Sequence, residues 1–274
     1  MSGLVIDHGN PWYLSPNIWA VPTNTPDGSS PGVLSPITGQ PYYLKATVHN
    51  TENFRINNAQ VNLYWANPSA AITRTAAQLV CSAFVSVDGG KTADVLCLNP
   101  WIPSYVNQGH ECLVAEVVQG MPSQSGALDG NNDPHVAQHN LSVVMISEKS
   151  FHSAFEVCNP ERKEQVFTVQ VEEAPFEEFN MVVKLFGDHL KGLSRGRIHS
   201  LGLTDSPHPS MRALQEGVPS FIQLKLGPYE CTGHSVVGEL EGESALVHIT
   251  QAIEERPVGG LGVLILRKKE EKIK

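Results

Sequence analysis

Residues 129–146 read DGNNDPHVAQHNLSVVMI. The first twelve of them fit two opposed architectures. Asp129, Asn131, Asp133, His135 and His139 all carry metal-binding atoms, and the two histidines stand four apart, the spacing of a helical zinc pair. The last six residues alternate as a strand does. A helix here would imply a metal centre of the kind enzymes use, whereas a strand would imply a turn that feeds a sheet. Pro134 lies directly before His135, and Val136, Ala137 and Gln138 stand where an HExxH motif needs its glutamate. In a strand the two histidines share a face but sit about 13 Å apart, too far for one ion. A calcium loop could use Asp129, Asn131 and Asp133, but it would need a glutamate near position 140, which is Asn140. Asp-Gly and Asn-Asp-Pro also have conformational reasons to occupy a turn. The stretch therefore reads as a turn followed by a strand. No metal or cofactor is expected, with these five side chains as the candidate ligands and calcium the one ion left open.

Strand patterns recur on both sides of it. YYLKATVHN sets Tyr42, Leu44, Ala46 and Val48 against Tyr43, Lys45, Thr47 and His49. AQVNLYWA puts Val61, Leu63 and Trp65 on one face, and AFVSV runs into the hairpin signal DGG. ADVLCLNPW, HECLVAEVV and HNLSVVMI complete a set of short strands separated by turn residues. ITRTAAQLV fits a strand or a short helix. Beyond the junction SEKSFHS, the runs AFEVCNP, EQVFTVQVEE, SFIQLKLGPYE, GHSVVGELEG, ALVHITQAIEE and GGLGVLILRK again read as strands. One segment differs. Phe176, Phe179, Val183, Phe186 and Leu190 recur at helical spacing after Pro175, with Glu177 and Glu178 in the first turn and Gly192 as a possible stop.

The expected fold class is all-β, with two antiparallel sandwiches and one short helix in the second. Residues 1–40 form an extended Pro-rich arm, 41–147 the first sandwich, 148–154 a linker, 155–268 the second sandwich and 269–274 a charged tail. Seven prolines from Pro11 to Pro41, six of them in the arm, forbid a helix there. Its large apolar side chains, Trp12, Tyr13, Ile18 and Trp19, are the candidate interaction residues.

The 274-residue chain carries a net charge of −9. Its one basic cluster, RKKEEKIK, is mixed in sign, so nucleic acid is an unfavourable partner. Residues 1–147 contain only four Lys/Arg and nine Asp/Glu, against fifteen and nineteen in the remainder. A charge-poor, amide-rich surface suits contact with other protein subunits, in a homo- or hetero-oligomer. The first residues lack the basic and apolar regions of a secretory signal, and no run is long enough to span a membrane. The expected location is thus cytoplasmic as synthesised, with export by another route left open. Five widely spaced cysteines fit free buried thiols.

The pieces LSPNIWA, GQPYYLKATVHN, VNLYWA, GHECLVAEVV and HVAQHNLSVV together resemble a bacterial immunoglobulin-like sandwich of the cell-adhesion-related (CARDB-like) kind. The resemblance covers residues 12–147 and is fainter over 155–268. It departs from the pattern at Asn50–Asn53, where NTEN replaces a turn that often has glycine after the strand-end Asn. The resemblance implies roles in assembly, adhesion or accessory binding, and it carries no catalytic residues.

Other chemistries lack their context. GHSVVG has one residue too many for a nucleophile elbow and leads into a strand. The pairs Glu172/Glu173, Glu177/Glu178 and Glu254/Glu255 read as solvated faces. Asn140-Leu-Ser is a formal glycosylation sequon. The expected function is a non-enzymatic structural or interaction subunit of a larger bacterial assembly. A glycan- or cell-surface-binding module using its tryptophans, and a hydrolase with a site assembled from distant residues, are the alternatives.

Overall fold

The computed structural model describes residues 3–25, 32–33, 36–104, 111–118, 126–186, 190, 192–209 and 217–268. The tail 269–274 and the arm segments 26–31 and 34–35 lie outside the described residues.

Eight strands build the first sandwich: β1 (Leu4–Val5), β2 (Ile18–Pro22), β3 (Tyr42–Asn50), β4 (Ile56–Ala66), β5 (Gln78–Val87), β6 (Thr92–Trp101), β7 (Cys112–Val118) and β8 (Val136–His139). One sheet centres on β3, with β6 on one side and both β1 and β2 on the other. The facing sheet runs β5-β4-β7-β8, all antiparallel. The alternation expected for β3 is present: Tyr42, Leu44, Ala46 and Val48 are buried while Tyr43, Lys45, Thr47 and His49 are half-buried. They meet Val61, Leu63, Leu113, Ala115 and Val117 of the other sheet in one core. Strand β7 is buried on both faces. Its second face, Cys112 and Val114, is roofed by Ala66, Ile72, Leu128 and Val136. Glu116 lies beneath that roof and is satisfied there by Arg74 at 2.5 Å and the Tyr64 hydroxyl at 2.9 Å, as a buried carboxylate requires.

The second sandwich contains β9 (Leu141–Ile146), β10 (Ser150–Cys158), β11 (Gln165–Glu173), β12 (Arg197–Thr204), β13 (Phe221–Leu226), β14 (Cys231–Glu241), β15 (Ser244–Ile253) and β16 (Arg256–Arg267). Its sheets are β10-β14-β12 and β13-β11-β15-β16-β9. Phe155, Phe167, Val169, Leu240, Val247 and Ile265 are among the side chains that fill the space between them. Helix α1 (Phe176–Phe186) forms over the first four of the five periodic positions, with Leu190 beyond its end in a turn and with Glu177 and Glu178 in its first turn. It packs Phe179 and Val182 on the outer face of the five-stranded sheet against Leu246, Leu264 and Leu266.

Three expectations need correction. The strand HNLSVVMI does not close the first sandwich as a unit. Val136–His139 pairs with β7, but Leu141–Ile146 pairs in parallel with β16 of the second sandwich. Alternation alone cannot reveal this, because a strand that changes sheets keeps its period of two. The expected linker at 148–154 is mostly strand, since β10 begins at Ser150. The described part of residues 1–40 is also more than an extended arm anchored on a sheet by its aromatics. Leu4–Val5 and Ile18–Pro22 are edge strands of the chain's own sheet.

Candidate functional site

The elements meet at Asn140, between β8 and β9. Its side chain is fully buried. The amide nitrogen donates to the Ser69 carbonyl and the Gly260 carbonyl, both at 2.7 Å. The Cys112 thiol donates to its Oδ1. Its backbone N–H donates to the Tyr13 carbonyl, and its carbonyl accepts from the Gly262 N–H. One residue thus ties together the N-terminal segment, the first sandwich and β16. Burial on this scale also removes the sequon from reach in the folded chain. The same apolar surroundings push the Cys112 thiol up to about 12, so it stays protonated and can donate.

Four of the five candidate metal ligands lie in one turn, held by hydrogen bonds within that turn and to its neighbours, and His139 is turned away from them. Asp129 caps its own turn, accepting from the Asn131 N–H at 2.9 Å and from the Asn132 amide at 2.5 Å. Asp133 accepts from the backbone N–H of His135 and pairs with its ring at 2.7 Å. Asn131 donates to the Pro257 carbonyl. His139 turns inward, and its Nδ1 lies 2.9 Å from the Ser15 carbonyl while its ring meets Trp19 at 5.1 Å. Among the described residues a different trio gathers metal-binding atoms: Glu156, Cys158 and Cys231.

The four aromatic and aliphatic residues proposed for interaction are turned toward their own chain. Ile18 is in the first core, Tyr13 is 4% exposed, and Trp12 and Trp19 pack half-buried beside it. Tyr13 reaches across to the second sandwich. Its hydroxyl is 2.6 Å from Nδ1 of His248 on β15, whose Nε2 is 2.6 Å from Oε2 of Glu178 on α1. A carboxylate at Nε2 fixes the proton there, so Nδ1 accepts from the tyrosine. This chain of three has the connectivity of a nucleophile, base and acid. Yet burial holds the Tyr13 hydroxyl far above its ordinary value, with Glu178 adding to the effect, and Tyr13 and His248 are both buried. The arrangement is a latch between the sandwiches. A small cleft of about 180 Å³ beside it, lined by Gly9, Asn10, Leu14, Met181, Val182 and Leu185, does not open onto the hydroxyl.

Burial lowers the proton affinity of His139 and His248, with the Ser15 carbonyl and Glu178 partly opposing it in turn. A histidine held neutral in the folded state takes up a proton on unfolding below its ordinary value of about 6.5. Its stabilising contribution is therefore intact above that pH and is lost as pH falls beneath it, by about 1.4 kcal/mol per pH unit per proton. Burial raises Asp129 and Glu156, which act in the opposite sense from the carboxylate range upward. Comparing the chain with His139→Gln cancels that background. The urea midpoint of the unaltered chain should fall more steeply between pH 7 and 5 than that of the variant, and parallel curves would rule the mechanism out.

The expectation of free thiols fails for four of the five cysteines. Cys81 pairs with Cys97 and Cys158 with Cys231, which leaves Cys112 as the free one. The partners are 16 and 73 residues apart, so only the strand pairing brings them together. Cys81–Cys97 joins β5 to β6, the edge strands of opposite sheets in the first sandwich. The Asn99 amide of β6 also donates to the Val80 carbonyl of β5 at 2.7 Å, and no further strand pairs with β5 beyond β4 among the described residues. Leu79, Phe84 and Leu98 are 55%, 59% and 63% exposed there. Of these two ten-residue edges, β6 carries Asp94 and Pro100, whereas QLVCSAFVSV of β5 has neither charge nor proline. No chemical motif marks this edge in the sequence, where its one signal is the absence of charge and proline.

No helix among the described residues is long and apolar enough to cross a membrane. Neither protein-family models nor curated proteins match the chain. Some solved structures share local similarity. A cycloisomaltooligosaccharide glucanotransferase from Paenibacillus sp. is 19% identical over 38% of this chain and 12% of its own, with a TM-score of 0.24. Red sea bream transglutaminase is 12% identical over 87% and 30%, with a TM-score of 0.23. The calcium binding domain CBD12 of CALX1.1 is 12% identical over 77% and 75%, with a TM-score of 0.19. The chain thus spans well under half the length of the first two. None of these likenesses extends to a shared overall arrangement, and the all-β sandwich architecture rests on the strand pairing itself.

Proposed function

We propose that the chain is a structural interaction module that assembles with further copies of itself by pairing along β5. The observation that carries this reading is the edge itself: ten residues, uncharged and proline-free, with Leu79 and Phe84 exposed. An open edge offers a row of unpaired N–H and C=O groups, and proteins that stay single usually blunt such edges with charge, proline or a cover. Two copies meeting at β5 would extend the sheet across a twofold axis, with each Phe84 shielded by the partner strand. The charge-poor composition of residues 1–147 supports the same reading, as does the resemblance to adhesion-related bacterial sandwich domains. The N-terminal segment serves this assembly indirectly, by holding its own two sandwiches together.

Light scattering of the purified chain provides the test. The expected mass is a multiple of the monomer, falling to the monomer in Phe84→Lys and in Ala83→Pro. Lysine puts a charge into the paired edge, and proline removes a ladder donor and distorts the strand. Both positions are solvent-facing or half-exposed, so a folded monomeric variant is attainable. A monomeric parent chain at high concentration, or variants that retain the multiple, would overturn the reading.

A further inference from the structure

Glu156, Cys158 and Cys231 form a group that neither the core nor the edge explains. Glu156 and Cys158 are two apart on β10 and so project from the same face. Cys231 on β14 lies directly across from Cys158, and Gly233 lies across from Glu156. The carboxylate oxygen and the two sulfurs are all within 4.8 Å of one another. Gly233 leaves the fourth corner without a side chain, bordered by the ring of Pro207. Among the described residues, no side chain pairs with the Glu156 carboxylate. The backbone around it is nevertheless fixed: its N–H donates to the Pro68 carbonyl at 2.8 Å, and its carbonyl accepts from the Ala70 N–H at 2.9 Å. The Ser69 hydroxyl lies 3.5 Å from the Cys158 sulfur, where it can donate to a thiolate. Among the described residues, Cys81–Cys97 has no such third ligand.

We propose that the Cys158–Cys231 pair, once reduced, binds a thiophilic divalent cation of the zinc class together with Glu156. A dithiol reductant opens the disulfide, supplying two electrons and two protons and becoming a disulfide itself. The two thiols then lose their protons to solvent as the cation binds, and one carboxylate oxygen completes a three-ligand set with an open fourth position. Tetrahedral zinc places its sulfur ligands about 3.8 Å apart, given Zn–S bonds of about 2.3 Å. A cross-strand pair reaches that separation by side-chain rotation alone. Cys231 is exposed, so the reductant and the ion both have access. The bridge between Ser69 and Glu156 puts the site where the loop after β4 meets the second sandwich, so occupancy adds a cross-link at that contact.

The test uses the full chain, with zinc and with cobalt(II) as a spectroscopic probe. The reduced chain should bind one zinc per molecule, measured by competition with a chromophoric chelator, and cobalt should give a thiolate charge-transfer band. The oxidised chain should bind none at this site. Cys231→Ser, at an exposed position, should abolish the band, and Glu156→Gln should weaken zinc binding at least tenfold while keeping the band. Cys81→Ser and Cys112→Ala should leave binding intact. A reduced chain that binds no zinc would overturn the proposal, as would binding indifferent to Cys231→Ser, or binding lost in Cys81→Ser or Cys112→Ala with the fold retained by circular dichroism.

Discussion

Asn140→Ala is expected to destabilise the chain by about 4 kcal/mol. The estimate follows from what the amide leaves behind. The Ser69 and Gly260 carbonyls each accept from its Nδ2 at 2.7 Å, and the Cys112 thiol donates to its oxygen. All three groups are in a region closed to solvent, and an unmatched buried polar group costs about 1–3 kcal/mol. A small cavity adds to that cost. The backbone bonds of residue 140 survive the substitution, so the loss should be large without abolishing the fold. Asn140→Asp discriminates further. An ionised carboxylate faces two carbonyls with no proton to give, so at pH 7 it should be at least as damaging as alanine, and the difference should shrink in acid as the carboxyl gains a proton. Denaturant unfolding followed by fluorescence would read both. A loss under 1 kcal/mol for Asn140→Ala would mean that the junction is held by its apolar contacts instead. Asn131→Ala, at an exposed turn, is the control and should cost less than a quarter as much.

Much of the architecture could be read from the chain because each element obeys a local rule. The β3 alternation from Tyr42 to Val48 and the spacing of Phe176, Phe179 and Val183 specify a strand and a helix without reference to the rest of the molecule. What could not be read depends on long-range partners. His139 and Leu141 belong to different sandwiches, although nothing in HNLSVVMI marks the change. Asn140 resembled a sequon or the end of a metal loop, and its role appears only when Ser69 and Gly260 arrive from elsewhere in the chain. The cysteine pairs have the same character: Cys158 and Cys231 are opposite one another because β10 and β14 share a register. The edge at β5 was written in the sequence, but as missing charge.

The glycines of PVGGLGVLIL show how a local irregularity reports a distant contact. In a strand, glycine forfeits side-chain packing and costs backbone entropy, yet β16 contains Gly259, Gly260 and Gly262. A Cβ at Gly260 would overlap the ring of Tyr13, and one at Gly259 would overlap the carbonyl of Ala70. The glycines are thus the slot into which the N-terminal segment and the loop after β4 lie. Gly260→Val should cost about 3–5 kcal/mol, since Tyr13 must leave a buried position and surrender its hydrogen bond to His248. Tyr13→Ala alone should cost a similar amount by emptying the slot. The combination is the informative measurement. If the damage from valine is its collision with Tyr13, the double variant should be no less stable than Tyr13→Ala alone, because the valine would occupy the vacated space. The coupling should then reach several kcal/mol, far beyond the few tenths seen for independent sites. If the two losses simply add, valine is harming β16 by some route other than the ring, and the latch between Tyr13, His248 and Glu178 is not what the glycine protects.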